Sequence, residues 1–200
     1  MSRIWASPLP YGGLRMIWTV LFACAEYSEV TEEPTPPAAV FAPLGDEEYR
    51  VAQIEPERYL GLWYEFAAIP AGMQARCTAT TAEYSLIDEE TIGVHNECHI
   101  DTTDGPLSQV DGTATAEDDR FSYLKVQFFS SFQADYYVVE ADGTETSDPY
   151  EWAVVSTFND AVIWVLSRTP DMDAERYEMI MDRLAERELP VDKIVETEHP

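Results

Sequence analysis

Glu57-Arg58-Tyr59-Leu60-Gly61-Leu62-Trp63-Tyr64-Glu65 is the stretch on which the reading of this chain turns. A short helical turn ends at Gly61, and from Leu62 the residues become large, aromatic and apolar, as in a strand. Downstream, segments rich in β-branched and aromatic residues recur every 10 to 15 residues, at 62–69, 77–87, 91–100, 108–116, 121–129, 135–141, 150–156 and 161–168. Turn chemistry separates them: Asp88-Glu89-Glu90, Thr103-Asp104-Gly105-Pro106, Glu117-Asp118-Asp119 and Ala141-Asp142-Gly143. Within 122–128 the alternation is clean, with Leu124, Val126 and Phe128 on one face and Lys125 and Gln127 on the other.

A single helical stripe follows, Tyr177, Ile180, Met181 and Leu184, between Asp171 and Pro190. Asp171 or Asp173 caps its start. A last short strand is expected at Lys193-Ile194-Val195. Eight antiparallel strands on short turns predict an all-β protein, an eight-stranded antiparallel up-and-down barrel with one C-terminal α-helix and a short final strand. Such a barrel leaves no open sheet edge.

The opening stretch resembles the lipocalin signature, Gly-any-Trp-Tyr after a helical turn, carried here by Gly61, Trp63 and Tyr64. Ala134-Asp135-Tyr136-Tyr137 is similar to the second motif of that family, with Ala134 departing from the usual Thr. Ile163-Trp164-Val165-Leu166-Ser167-Arg168 resembles the third. Ala82-Glu83-Tyr84-Ser85-Leu86 and Val126-Gln127-Phe128-Phe129 point to the bacterial, apolipoprotein D-like branch. The resemblance implies that Trp63 plugs the closed end of the barrel with Arg168 across its ring. It also implies carriage of a fatty acid such as palmitate, or of a lysophospholipid, in envelope lipid storage, transport or maintenance.

The ligand itself must be argued from the lining. An eight-stranded barrel encloses one small ligand or a plug of side chains. Alternation assigns Tyr84, Leu124, Val126 and Phe128 to the interior, together with Asn96, Tyr137 and Val139. The last two follow from taking Glu140 to face water. Trp152 and Trp164 stay unassigned, because the helix must cover one of their strands from outside. Two other readings stay open: an enzyme of this fold acting on a lipid or isoprenoid, and an interaction module whose cup is filled.

Cys77 and Cys98 stand about equally far from the turn at 88–90 and so are placed to meet across a hairpin. A disulfide there would stabilise by about 3 kcal/mol in the chain-entropy model. Strict alternation puts the two cysteines on opposite faces, so the bond requires a bulge; two free thiols are the alternative. Cys24 is then the odd cysteine.

Residues 1–23 read as an export signal: Arg3 and Arg15 without an acid, then the apolar run 16–23, too short for the roughly 20 residues of a spanning helix. Leu21-Phe22-Ala23-Cys24 resembles the bacterial lipoprotein box, which makes Cys24 the lipidated amino terminus; a plain cleaved signal is the alternative. Ala25 after Cys24 suits sorting to the outer membrane, facing the periplasm of a Gram-negative cell. Residues 24–50 alternate Glu and Pro and form a tether that spans about 3 Å per residue, and residues 51–200 form the domain.

Composition bounds the partners. Against 38 acids stand 12 bases, ten of them arginine, for a net charge of −26 and a pI near 4.1. No basic patch exists to neutralise phosphates, so nucleic acid is excluded as a partner. Membrane association must come through the lipid anchor, and a second copy of the chain stays open as a partner. Cofactor chemistry has no signature: His95 and His99 lie about 13 Å apart along one strand, too far for one metal. Neither a nucleophile elbow nor a phosphate loop is present, which argues against catalysis.

Overall fold

Gly61 sits at φ +91°, a conformation that only glycine adopts without strain, and there the chain leaves a helical turn and enters the barrel. The computed structural model describes residue 50 and residues 53–129, 132–142, 149–157 and 162–200. The expected signal, Cys24 and the tether lie outside the described residues. The short helix α1 (Pro56–Tyr59) precedes strands β1 (Gly61–Ala68), β2 (Cys77–Leu86), β3 (Thr91–Ile100), β4 (Leu107–Ala116), β5 (Tyr123–Phe129), β6 (Phe132–Ala141), β7 (Trp152–Ser156) and β8 (Ile163–Ser167). Helix α2 (Ala174–Glu186) and strand β9 (Val195–Glu196) follow.

From β1 to β8, each strand pairs antiparallel with its neighbour in sequence, and β1 pairs with both β8 and β2. The ring of eight is therefore closed. The β1–β2 ladder is short, from Gly61 opposite Tyr84 to Tyr64 opposite Thr81. Beyond it β9 pairs with Ala67 and Ala68 of β1. The final strand begins at Val195, two residues later than the expected Lys193. Val191–Lys193 instead form a 3₁₀ turn, closed by Lys193 N–H donating to Pro190 and Ile194 N–H to Val191.

Apolar side chains divide into two sets. Inside the barrel lie Trp63, Tyr84, Ile92, Val94, Leu124, Val126, Val138, Val155 and Leu166. Outside, under α2, lie Tyr137, Val139, Trp152, Val154, Ile163 and Val165. The stripe of α2 meets that outer set through Ile180 and Leu184, both fully buried. Asp173 caps the helix, accepting from the Glu175 and Arg176 amides. The outer face of these strands is thus as apolar as the inner one, which is why alternation fails there.

Two bulges decide side-chain facing. In β2, the step from Thr78 to Thr81 spans three residues where β3 spans two, from His99 to Glu97, and Ala79 sits at φ +48°. The extra residue swings Cys77 onto the face of Cys98, and the disulfide forms with an S–S distance of 2.11 Å. In β6, register jumps between Val138 and Glu140.

Candidate ligand-binding site

The closed end of the barrel is built from the opening stretch. Trp63 is fully buried, and its indole Nε1 donates to the Tyr59 carbonyl at 2.8 Å. Arg168 lies 3.7 Å from the centre of the indole. Its guanidinium donates to four carbonyls: Tyr150 at 2.9 Å, Leu62 at 2.7 Å, Arg58 at 2.9 Å and Leu60 at 3.0 Å. Burial lowers the Arg168 pKa to about 10, still well above neutrality. One cation so ties α1, the start of β1 and the end of β8 across the barrel floor.

Above that floor stands a chain of three phenols. Tyr136 Oη lies 2.6 Å from Tyr59 Oη and 3.0 Å from Tyr84 Oη. Burial pushes all three pKa values up, Tyr84 to about 12, and the hydroxyls stay neutral. Three protons serve two links, which leaves one O–H to donate elsewhere.

Over the phenols a cavity of about 120 Å³ opens toward the other end of the barrel. Tyr84, Asn96, Leu124, Val126 and Phe128 all line it, as alternation assigned them. Phe128 reaches in because Gly112 has no side chain: a Cβ there would stand 2.7 Å from the Phe128 ring. The buried Oδ1 of Asn96 is unpartnered. Tyr137 and Val139, expected inside, face α2 instead. Counting back from Glu140 crosses the β6 bulge, and Glu140 does not face open water but pairs with Arg183 and Arg187 at the helix. Tyr136 and Val138 take the interior places.

Of the remaining motif residues, Asp135 also lines the cavity. Asp135 turns its carboxylate to Lys125 and to Tyr123, which donates at 2.8 Å. Tyr64 meets the His199 ring at 5.7 Å. Sequence reasoning missed Tyr59, Trp164 and Glu65. Trp164 lines the cavity while Trp152 packs outside it. Glu65 was legible in principle, since it stands two residues from Trp63 on the same face of β1. It is 9% exposed, accepts a 2.7 Å hydrogen bond from Thr197, and has its pKa raised by burial.

Among the described residues no group of His, Cys, Asp or Glu is arranged to hold a metal. His95 sits between Asp111 and Glu97, which raise its pKa.

A closed eight-stranded cup, plugged by an indole under a cation and lined by apolar side chains, is a scaffold for holding one small hydrophobic molecule. The chain belongs to the lipocalin family: residues 54–199 match the model of the lipocalin-like domain. It is 30% identical over 146 residues to the outer membrane lipoprotein Blc of Vibrio cholerae, covering 72% of this chain and 82% of that protein. With the Blc protein of Escherichia coli K12 it shares 29% identity over 190 residues, 94% of this chain and 99% of the relative. Lobster apocrustacyanin A1, at 18% identity and a TM-score of 0.57 over 72% of this chain and 79% of that one, shares the fold.

Proposed function

We propose that this protein is a carrier that holds a single-chain lipid, a fatty acid or a lysophospholipid, in the barrel cup without chemical turnover. The observation that carries the reading is the apolar cavity above a sealed floor, with its mouth at the opposite end. Its lining offers one deeply buried carboxyl and no nucleophile paired with a base among the described residues, so it is suited to containment. We further propose export and anchorage in the outer membrane through acylated Cys24, with residues 25–50 as the tether. The lipobox-like 21–24 and the name shared by the bacterial relatives, outer membrane lipoprotein, support this.

Displacement of a fluorescent fatty acid from the purified protein tests the cup. Saturable uptake without product is expected. Ala134→Trp, which places an indole into the cavity wall, should weaken uptake at least about tenfold, a loss of about 1.4 kcal/mol. Product formation would favour an enzyme, and no uptake at all a filled cup. Mass spectrometry of the native protein tests the anchor: a mature chain with unmodified Cys24, or one lacking it, would overturn that part.

A further inference from the structure

The cup does not end at Glu65. Past it, a second and more polar cavity of about 270 Å³ lies between the end of β1, the 3₁₀ turn Gly72–Arg76, the start of β2 and the C-terminal segment 195–198. Glu65, Gln74 and Trp164 line both spaces and form the neck between them. Neither alone reaches the roughly 300 Å³ at which small-molecule sites begin. Meeting at these shared side chains, an apolar chamber and a polar antechamber stand side by side, the pairing an amphiphile requires.

The antechamber exists because β1 and β2 part after Tyr64 and Thr81. The C-terminal segment enters the gap: Val195 and Glu196 pair with β1, and the Glu198 carbonyl accepts from the Ala79 amide at the β2 bulge. From this segment Thr197 donates to Glu65 Oε1, and His199 Nε2 lies 2.9 Å from the Glu65 carbonyl. Glu65 is therefore held in place, and its second oxygen makes no hydrogen bond among the described residues.

Charge decides what this arrangement accepts. Among the described residues no lysine, arginine or histidine lines either space, and the exposed Glu196 and Glu198 line the antechamber beside the buried Glu65. The nearby arginine of the rim, Arg76, is exposed and is paired with Asp101 through Nε and Nη2. A lipid carboxylate entering the neck would meet Glu65 with no cation to offset it. An ammonium group would instead gain a partly buried carboxylate oxygen and the free Asn96 Oδ1 deeper in. Resting on the reading of the cup as a lipid carrier, we propose that the antechamber is a head-group subsite that prefers an ammonium-bearing head to a free carboxylate, with Glu65, the buried carboxylate of the neck, as the discriminating residue. The ammonium belongs either to a simple long-chain amine or to a zwitterionic lysophospholipid.

The test compares ligands of one chain length, namely dodecylamine, dodecanoate, dodecan-1-ol and the matching lysophosphatidylethanolamine. Each displaces a neutral fluorescent probe from the full-length protein at pH 8 and 0.1 M salt. Dodecylamine should displace at a concentration about tenfold below that of dodecanoate, with the alcohol between them. Glu65→Gln keeps the acceptor for Thr197 and should narrow the ratio to within about threefold. Glu89→Gln, at an exposed turn, removes the same charge far from the cup and should leave the ratio unchanged. Lysophosphatidylethanolamine competing like the amine would identify the zwitterion as the natural class, and its failure beside a binding amine would identify simple amines. Dodecanoate equal to or better than dodecylamine on the unmodified protein, or equal effects of the two Gln variants, overturns the head-group subsite and leaves the carrier intact. Displacement by none of the four overturns both.

Discussion

Arg168→Met offers the sharpest check on how the cup is closed. The guanidinium donates to the carbonyls of Arg58, Leu60, Leu62 and Tyr150 and covers the Trp63 ring at 3.7 Å. The Leu62 carbonyl lies at an exposed position, where water replaces the lost donor. The other three are partly buried, and each loses about 1 kcal/mol when its charged donor is removed. The cation–π contact adds about 1 kcal/mol. The expected loss is then about 4 kcal/mol, which for a domain of this size corresponds to a fall in Tm of about 8–16 °C. Arg168→Lys keeps the charge without the planar fork and should lose roughly half as much. Urea unfolding followed by tryptophan fluorescence, with the disulfide intact, reads both variants. A loss below about 1 kcal/mol for the methionine variant would refute the argument that this cation, and not apolar packing alone, seals the floor.

Three further perturbations have expected outcomes. Tyr136→Phe strips the middle hydroxyl from the phenol chain, leaves Tyr59 and Tyr84 Oη buried without their partner, and should destabilise by about 2–4 kcal/mol in urea, against about 1 for Tyr84→Phe at the chain's end. Cys77→Ser with Cys98→Ser opens a loop of sequence separation 21 and should lower stability by about 3 kcal/mol, with no change of far-ultraviolet circular dichroism at 25 °C. Glu65 has its pKa raised above the ordinary carboxylate value by burial, so the folded protein holds that proton more tightly than the unfolded chain. Its contribution is fully present below the unfolded pKa and is lost as pH rises through the raised value. Thermal melts between pH 4 and 8 should therefore show Glu65→Gln gaining on the unmodified protein as pH rises, and a constant difference would contradict a buried carboxylate.

The barrel is legible in the sequence because most of its strands and its one helix carry their own period, and because the stretches holding Gly61, Trp63 and Arg168 resemble the lipocalin motifs. Alternation places Tyr84, Leu124 and Val126 correctly because their strands have one solvated face, so polar neighbours such as Lys125 mark the outside. For Tyr137 and Val139 it fails for two physical reasons at once. Helix α2 makes the outer face apolar, and the bulge before Glu140 breaks the count of two. The bulge in β2 works the other way: the opposite parity of Cys77 and Cys98 demands an extra residue if the two are to bond, and that residue lies between Thr78 and Thr81. Nothing local announces Thr197 beside Glu65, a contact 132 residues long that depends on the last segment entering the gap between β1 and β2. That same contact is what holds the carboxylate at the neck.

Surface charge and neck charge act at different ranges. The net charge is −26, and most acidic side chains among the described residues are exposed, where a field falls off within about 10 Å at 0.1 M salt. It keeps the body away from an anionic lipid surface and draws cationic amphiphiles toward it, but it cannot distinguish heads once a chain has entered the barrel. Discrimination inside must come from a group that salt does not reach, and among the described residues Glu65 is the acidic side chain that is both buried and part of the cavity wall. The two terms share a sign, so an amine head is favoured on approach and again at the neck. A carboxylate head is disfavoured twice. A basic surface around the same neck would set approach against retention, whereas here each step selects the same head.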